Sequence, residues 1–249
     1  MAQGDELELN ARGTVVFDVD GTLTRTHELD EAWYRVAIRE VLGVEEFSTD
    51  WSSYRHSTDR SIVREIGERH RGREASPEEG EQVLDAYAAL LADAGQQGHV
   101  QPVDGARSIV GSLVAAKWGV AIATGGWSRT ARLKLDHAGI ECAGVAFASA
   151  DDADPRERII QIALGRAGHP KGTPVVYVGD GRWDLLAAQR LQCGFVGLAE
   201  GDRAGALRAA GATLVTDGYR DVTAFLRLVE RAGLECSREV HGQEPARSC

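Results

Sequence analysis

The most constraining feature of this sequence is a short apolar run that ends in two aspartates. The segment 15–17 is β-branched and aromatic, and Asp18, Asp20 and Gly21 follow within four residues. Such a run predicts a buried strand that ends at a turn. In an extended chain, Asp18 and Asp20 would point to the same side. Because neighbouring carboxylates repel each other, the pair favours a cation or a shared proton at this strand end.

The composition is that of a globular protein and argues against several classes of function. The chain has 249 residues, of which 43% are hydrophobic and 27% charged, and its net charge is −10. That charge argues against nucleic acid or an anionic membrane as the main partner, and no apolar stretch approaches the ~18 residues of a membrane span. Residues 1–13 lack the apolar core of a signal peptide, and the four cysteines lack metal-type spacing. We therefore expect a cytoplasmic protein with reduced thiols.

The segment from residue 25 to residue 99 has helical patterns and no convincing strand. Apolar residues recur at helical spacing over about 29–42, 58–69 and 77–94. Ser76 and Pro77 suit the N-cap and the first turn of the third helix. We predict an all-helical insertion that packs as a small bundle.

From residue 101 onward, short apolar runs alternate with amphipathic stretches. The strands are expected at 120–124, 144–148, 175–179, 194–198 and 213–215. The helices between and after them are expected at 106–117, 128–138, 154–167, 182–191, 202–210 and 221–231. Asp154 suits the N-cap of the helix at 154–167, with Glu157 closing a capping box. This order predicts an α/β protein with a doubly wound parallel sheet, followed by a polar and mobile tail from about residue 235 to residue 249.

Polar groups follow three of the predicted strands, where ligands bind in a doubly wound sheet. The first strand supplies Asp18 and Asp20, and another supplies Asp180 and, one turn later, Asp184. Hard oxygen ligands of this kind suit Mg²⁺.

The strand predicted at 120–124 ends in Thr124, and Gly125 and Gly126 follow it at the start of a helix. Backbone N–H groups at a helix start attract anions. The sequence thus predicts an anion site beside the acids.

The segment 17–23 resembles the first motif of the haloacid dehalogenase-like hydrolases, most of which are magnesium-dependent phosphatases. The resemblance covers about 14–24 and 101–230. It implies that Asp18 is a nucleophile that forms an aspartyl-phosphate, that Asp20 is the general acid and base, and that Thr124 binds the phosphoryl group. It also implies that magnesium is held by Asp18, the backbone carbonyl of Asp20 and Asp180, with Asp184 in a supporting role.

One motif departs from the family pattern. The family usually has a lysine near the start of the helix after the third strand, and residues 151–158 contain none. Arg156 is the first candidate to replace it and Arg158 the second, although both would equally suit an exposed surface. Arginine keeps the charge but is longer and forked.

The position of the insertion matches the helical cap of the family, which closes over the site and carries specificity. His56 and Arg60 precede or begin its second helix and would suit an anionic or polar leaving group; a solvated loop is the alternative. Trp127 and Arg182 are candidates for the entrance.

These observations predict a core of residues 1–24 and 101–249 with a cap at 25–100. The expected activity is Mg²⁺-dependent hydrolysis of a small phosphorylated metabolite, in the manner of the phosphoglycolate phosphatase-like branch. A sugar phosphomutase on the same fold and a non-catalytic phosphate-binding regulator are the alternatives.

Overall fold

A six-stranded parallel sheet forms the centre of the protein and confirms the predicted fold class. The computed structural model describes residues 11–241. The strand order is β3-β2-β1-β4-β5-β6, and every pairing is parallel. The strands are β1 (Thr14–Phe17), β2 (Gly119–Ala123), β3 (Ala146–Ala148), β4 (Val175–Gly179), β5 (Gly194–Leu198) and β6 (Val215–Thr216).

Nine α-helices accompany the sheet within residues 11–241. Three lie in the insertion between β1 and β2: α1 (His27–Leu42), α2 (Asp59–Arg71) and α3 (Pro77–Gln96). The other six are α4 (Ala106–Ala115), α5 (Ser128–His137), α6 (Arg156–Arg166), α7 (Arg182–Arg190), α8 (Gly201–Ala209) and α9 (Val222–His241). Among these described helices, none combines the length and apolar character that a membrane span requires.

The strand β1 lies at the centre of the sheet, and its four residues are buried. Phe17 pairs with Ile122 of β2 on one side and with Val178 of β4 on the other. The three strand ends that carry polar groups are therefore neighbours at one edge of the sheet, which is where ligands bind in such folds.

Both faces of the sheet are covered, which explains why its strands are continuously apolar. Phe17 packs on one face against Tyr219 and Phe225, with ring centroids 6.0 and 6.4 Å away. On the other face Val16 and Tyr177 lie in a buried cluster with residues of α6 and α7.

The helical insertion has its own buried cluster. Ser76 is the N-cap of α3, as predicted, and forms a capping box with Glu79. Trp127 of the core also belongs to this cluster. Its ring centroid lies 6.1 Å from that of Tyr34 and 6.4 Å from that of Tyr87. The expectation that Trp127 lines an entrance is therefore wrong, because its apolar ring is 4% exposed against the insertion.

Two of the differences between the predicted and the observed element ends have a clear physical cause. The helix expected from Asp154 begins at Arg156, its N-cap is Pro155, and no side chain caps it. Asp154 instead accepts hydrogen bonds from Arg60 and Arg64, because two guanidinium groups offer a carboxylate stronger partners than one backbone amide. The last helix runs ten residues beyond the predicted 231, since Glu and Arg favour helix despite their polarity. The remainder of the predicted tail, 242–249, lies outside the described residues.

Candidate active site

Three buried carboxylates meet at the carboxyl edge of the sheet. Asp18, Asp180 and Asp184 are at most 4% exposed, and each offers an oxygen within 4.8 Å of the other two. The Asp18 amide donates to the carbonyl of Val178, which continues the β1 ladder by one residue. Gly21 has a φ of +69°, and a Cβ there would lie 1.9 Å from Oδ2 of Asp180. Only glycine allows the turn after Asp20 to pass so close to the acids.

The orientation of Asp184 is fixed in the first turn of α7. Its Oδ2 accepts a hydrogen bond from the Gly181 amide at 2.9 Å, and its Oδ1 accepts one from the Tyr177 hydroxyl at 3.0 Å. A carboxylate held in this way supports its neighbours without turning toward solvent.

The charges of the three acids are only partly compensated. Burial, followed by repulsion from Asp184, raises the pKa of Asp18 to about 7, against the lowering effect of Arg156. Burial and repulsion from Asp18 raise the pKa of Asp180 to about 7, although Arg203 forms an ion pair with it. Burial also raises the pKa of Asp184 to about 6. A hard oxygen donor set with excess negative charge fits a divalent cation such as Mg²⁺.

Arg156, the first candidate to replace the lysine that is usual in the family, contacts the acid cluster. Its Nη1 donates to Oδ1 of Asp18 at 2.9 Å and lies 3.1 Å from Oδ1 of Asp184. Arg158 is exposed and donates to Gln161. Because successive helical residues are 100° apart, only the first of these two arginines faces the sheet.

The Asp20 carboxylate is not a member of the acid cluster, although it was predicted at the same spot. Its Oδ1 accepts a hydrogen bond from the Thr26 hydroxyl at 2.5 Å and contacts Nζ of Lys134 at 2.7 Å. A role for Asp20 in metal binding therefore rests on its backbone carbonyl, as the family resemblance implies.

Lys134 was missed in the sequence, although its side chain is 1% exposed and pairs with both Asp20 and Asp30. Burial disfavours its ammonium group, but the surrounding acids outweigh burial and raise the pKa of Lys134. A signal existed: Lys134 shares the buried face of α5 with Thr130, Ala131 and Leu135.

Thr124, Gly125 and Gly126 lie beside the acids, as predicted, and line the same cavity. The Gly126 amide donates to Oγ1 of Thr124 at 3.1 Å. A Cβ on Gly125 would lie 2.3 Å from Nη2 of Arg156, so glycine lets the guanidinium pass. The insertion also contacts this turn, because the Asp59 amide donates to the Gly125 carbonyl at 2.9 Å.

The two predicted substrate ligands of the insertion lie outside this cavity. Arg60 donates to Oδ1 of Asp154 at 3.0 Å, and so forms an ion pair between the insertion and the core. His56 lines a neighbouring groove with Glu157. Near α7, Trp183 lines the cavity and Arg182 does not.

The walls of the cavity are acidic and aromatic on the side of the insertion. The cavity has a volume of about 70 Å³. Beside Asp18 and Asp180, the insertion contributes carboxylates and rings to the lining, namely Asp30, Glu31, Asp59, Tyr34 and Trp51. Burial raises the pKa of Asp59 to about 7 even though Lys134 lowers it. In the described part of the chain, the basic side chains that line this cavity are Arg156 and His27.

Solved structures similar to this one include a hydrolase from Pseudomonas syringae, at 21% identity and a TM-score of 0.68, with 86% of this chain and 98% of that chain covered. CbbY from Rhodobacter sphaeroides, solved with phosphate, has 18% identity and a TM-score of 0.66, with 84% and 96% covered; a mutant of it was solved with xylulose-(1,5)bisphosphate. A predicted phosphoglycolate phosphatase from Haemophilus somnus 129pt has 16% identity and a TM-score of 0.61, with 86% and 97% covered.

Among curated proteins, the comparison found no match to this chain. A family model of the haloacid dehalogenase-like hydrolases matches residues 13–192, which include both aspartates after β1, the turn after β2 and the acids after β4. The chain therefore belongs to the haloacid dehalogenase-like hydrolase family.

Proposed function

We propose that this protein is a Mg²⁺-dependent phosphatase that hydrolyses a small phosphate monoester through an aspartyl-phosphate on Asp18. The observation that carries the proposal is the arrangement around Asp18. This buried carboxylate lies 2.9 Å from an arginine and within 4.8 Å of two further acids, and it precedes the anchored Asp20 by two residues. These groups supply a nucleophile, a cation and a general acid in one cavity.

The reaction would proceed in two displacements. An oxygen of Asp18 attacks phosphorus, the bond from phosphorus to the ester oxygen breaks, and Asp20 gives its proton to the leaving alcohol. A water molecule then attacks the aspartyl-phosphate, loses a proton to Asp20, and releases phosphate and the free Asp18. Both residues end the cycle as they began it.

The chain's own groups would hold the transferred phosphoryl group. The Arg156 guanidinium neutralises its charge, and the Thr124 hydroxyl and the amides of Gly125 and Gly126 bind its oxygens. Asp18, Asp180 and the backbone carbonyl of Asp20 would hold Mg²⁺, supported by Asp184. When bound, the ion offsets the negative charges of the acids and of the phosphoryl group.

The insertion, which we assign to residues 25–100 as a cap, would exclude water from the first displacement. The cavity is small, about 70 Å³, and so favours a small phosphorylated metabolite over a large substrate. The phosphate and sugar bisphosphate bound to the Rhodobacter sphaeroides protein support a substrate of this class. Cys142 and Cys193 carry thiols and are not joined in a disulfide, which is compatible with a cytoplasmic location.

The test is release of phosphate from an aryl phosphate with Mg²⁺ and with a chelator. We expect turnover with the metal, and we expect Asp18→Asn to abolish it, because the amide cannot act as the nucleophile. Turnover that survives in Asp18→Asn would contradict the covalent step.

Two alternatives have distinct outcomes in the same assay. A sugar phosphomutase would convert a sugar phosphate to its isomer faster than it releases phosphate. A non-catalytic regulator would bind phosphate without releasing any from an ester. The presence of both Asp18 and Asp20 favours turnover, since a binding protein has no need for acids that repel its anion.

A further inference from the structure

We propose that Lys134 is a positioning residue for the general acid: it holds Oδ1 of Asp20, so that Oδ2 faces the leaving group. The proposal rests on the phosphatase function proposed above and adds a residue outside the family motifs found in the sequence. Lys134 lies on α5, ten residues after Thr124, and it does not line the cavity itself.

Two carboxylates and an aromatic ring surround the ammonium group of Lys134. Nζ lies 2.7 Å from Oδ1 of Asp20 and 2.6 Å from Oδ1 of Asp30. It also lies 5.3 Å from the centre of the Tyr87 ring, over its face. A buried ammonium that binds two carboxylates has little freedom to move, and so it fixes the groups that it binds.

The second oxygen of Asp20 lies on the side of the reacting groups. Lys134 and Thr26 both contact Oδ1 of Asp20, and these two contacts restrict the rotation of its carboxyl group. A Cβ placed on Gly126 would be 3.8 Å from Oδ2 of Asp20 and 3.5 Å from Oγ1 of Thr124. Oδ2 therefore faces the turn where the phosphoryl group would bind, and it is the oxygen that can reach the ester.

The charge of Lys134 also suits the step that Asp20 performs. When Asp20 gives its proton to the leaving alcohol, it becomes a carboxylate beside the ammonium, and the pair stabilises that product. Stability alone does not require this lysine, because hydrophobic residues of similar volume often replace buried ion pairs without loss. A buried lysine at this position is therefore better explained by a role in catalysis than by a role in packing.

The test compares two esters in the same preparation of enzyme, with Mg²⁺ present. An alkyl phosphate needs a proton on its leaving oxygen, whereas dinitrophenyl phosphate loses a stable anion and needs none. We expect Lys134→Met to lower kcat/KM for the alkyl ester about 100-fold, which is within the range of general acid catalysis. For the dinitrophenyl ester, kcat/KM should fall less than about threefold. The ratio of kcat/KM for the alkyl ester to kcat/KM for the dinitrophenyl ester does not depend on how much of the enzyme is folded.

Lys171→Met is the matched control, since Lys171 is exposed and far from the contacts described, and its ratio should equal that of the wild type. Lys134→Gln keeps a hydrogen-bond donor and is the second variant should Lys134→Met not fold; its ratio should fall by a smaller factor. If the wild type hydrolyses both esters and a folded Lys134 variant has the same ratio as the wild type, the inference is wrong. Absence of turnover in the wild type contradicts the proposed function and the inference together.

Discussion

Nη1 of Arg156 lies 2.9 Å from Oδ1 of Asp18 and bridges it to Oδ1 of Asp184, 3.1 Å away. One guanidinium thus joins the start of α6 to the end of β1 and to the first turn of α7. Its Nη2 donates to the carbonyl of Ser57 in the insertion at 3.2 Å. The same side chain therefore compensates Asp18, the proposed nucleophile, and contacts the insertion.

Replacement of Arg156 by methionine should lower kcat for an aryl phosphate by about 10²–10³, because the acids and the phosphoryl group lose their cation. The kcat of Arg156→Lys should lie between those of the wild type and Arg156→Met, since lysine keeps the charge but not the forked contact. The measurement is steady-state phosphate release at saturating Mg²⁺. Arg158→Met is the matched control, because Arg158 is exposed one half-turn away; an equal loss in both variants would refute the assignment.

The acid cluster should make the metal-free protein less stable as the pH rises. In the unfolded chain these carboxyl groups titrate near pH ~4, whereas burial raises the pKa values of Asp18 and Asp180 to about 7 and that of Asp184 to about 6 in the fold. A raised pKa adds stability below the unfolded value, and this stability is lost as the pH rises toward 7.

Mg²⁺ should reverse that loss, since it competes with protons for the same oxygens. At a concentration of about 100 times its Kd, the ion adds about 2.7 kcal/mol, which corresponds to a Tm increase of about 5–10 °C for a chain of this size. We expect this increase at pH 8 and a smaller one at pH 5. Thermal unfolding with MgCl₂ and with EDTA measures it, and Asp180→Asn should reduce it. An increase that is larger at pH 5 would contradict the prediction.

The walls of the cavity predict which leaving groups are accepted. The sequence suggested an anionic or polar leaving group, on the basis of His56 and Arg60, but both lie outside the cavity and Arg60 is paired with Asp154. Carboxylates of the insertion lie there instead, and a second anion on the substrate would be repelled by them.

O-phosphoethanolamine and phosphoglycolate form a matched pair, because they share the length of their carbon chain and differ in the charge of its end. We expect kcat/KM for the ammonium ester to exceed that for the carboxylate ester at least about tenfold, or about 1.4 kcal/mol. Asp59→Asn should narrow the ratio. A preference for phosphoglycolate would show that other cations of the chain reach the substrate.

The sequence predicted the sheet and the acids for a physical reason. The strands are buried on both faces and read as continuous apolar runs, and each chemistry-bearing residue follows one of these runs directly. Position along the chain therefore determined position in space for Asp18, Thr124 and Asp180.

The insertion side of the site could not be read in the same way. Asp30, Asp59 and Lys134 reach the cavity or Asp20 only through the way that α1, α2 and α5 pack together, and helical periodicity does not reveal which helix faces which. Asp154 illustrates the limit: its position suited a helix cap, but tertiary partners from the insertion took its oxygens. Contacts between distant helices decided the roles that local pattern left open.

Two glycines of α3 should respond in opposite ways to alanine, and they test how closely the insertion packs on the core. No atom of the described residues lies within 4 Å of a Cβ built on Gly80, whereas a Cβ on Gly95 would lie 2.1 Å from Cδ2 of His137 on α5. Gly80→Ala should stabilise the protein by about 1 kcal/mol through helix propensity, and Gly95→Ala should destabilise it by about 1–3 kcal/mol through overpacking. Thermal unfolding of both variants checks the signs, with shifts of about 2–4 °C for each kcal/mol. A Tm increase in Gly95→Ala would mean that α3 and α5 can separate at this point without cost.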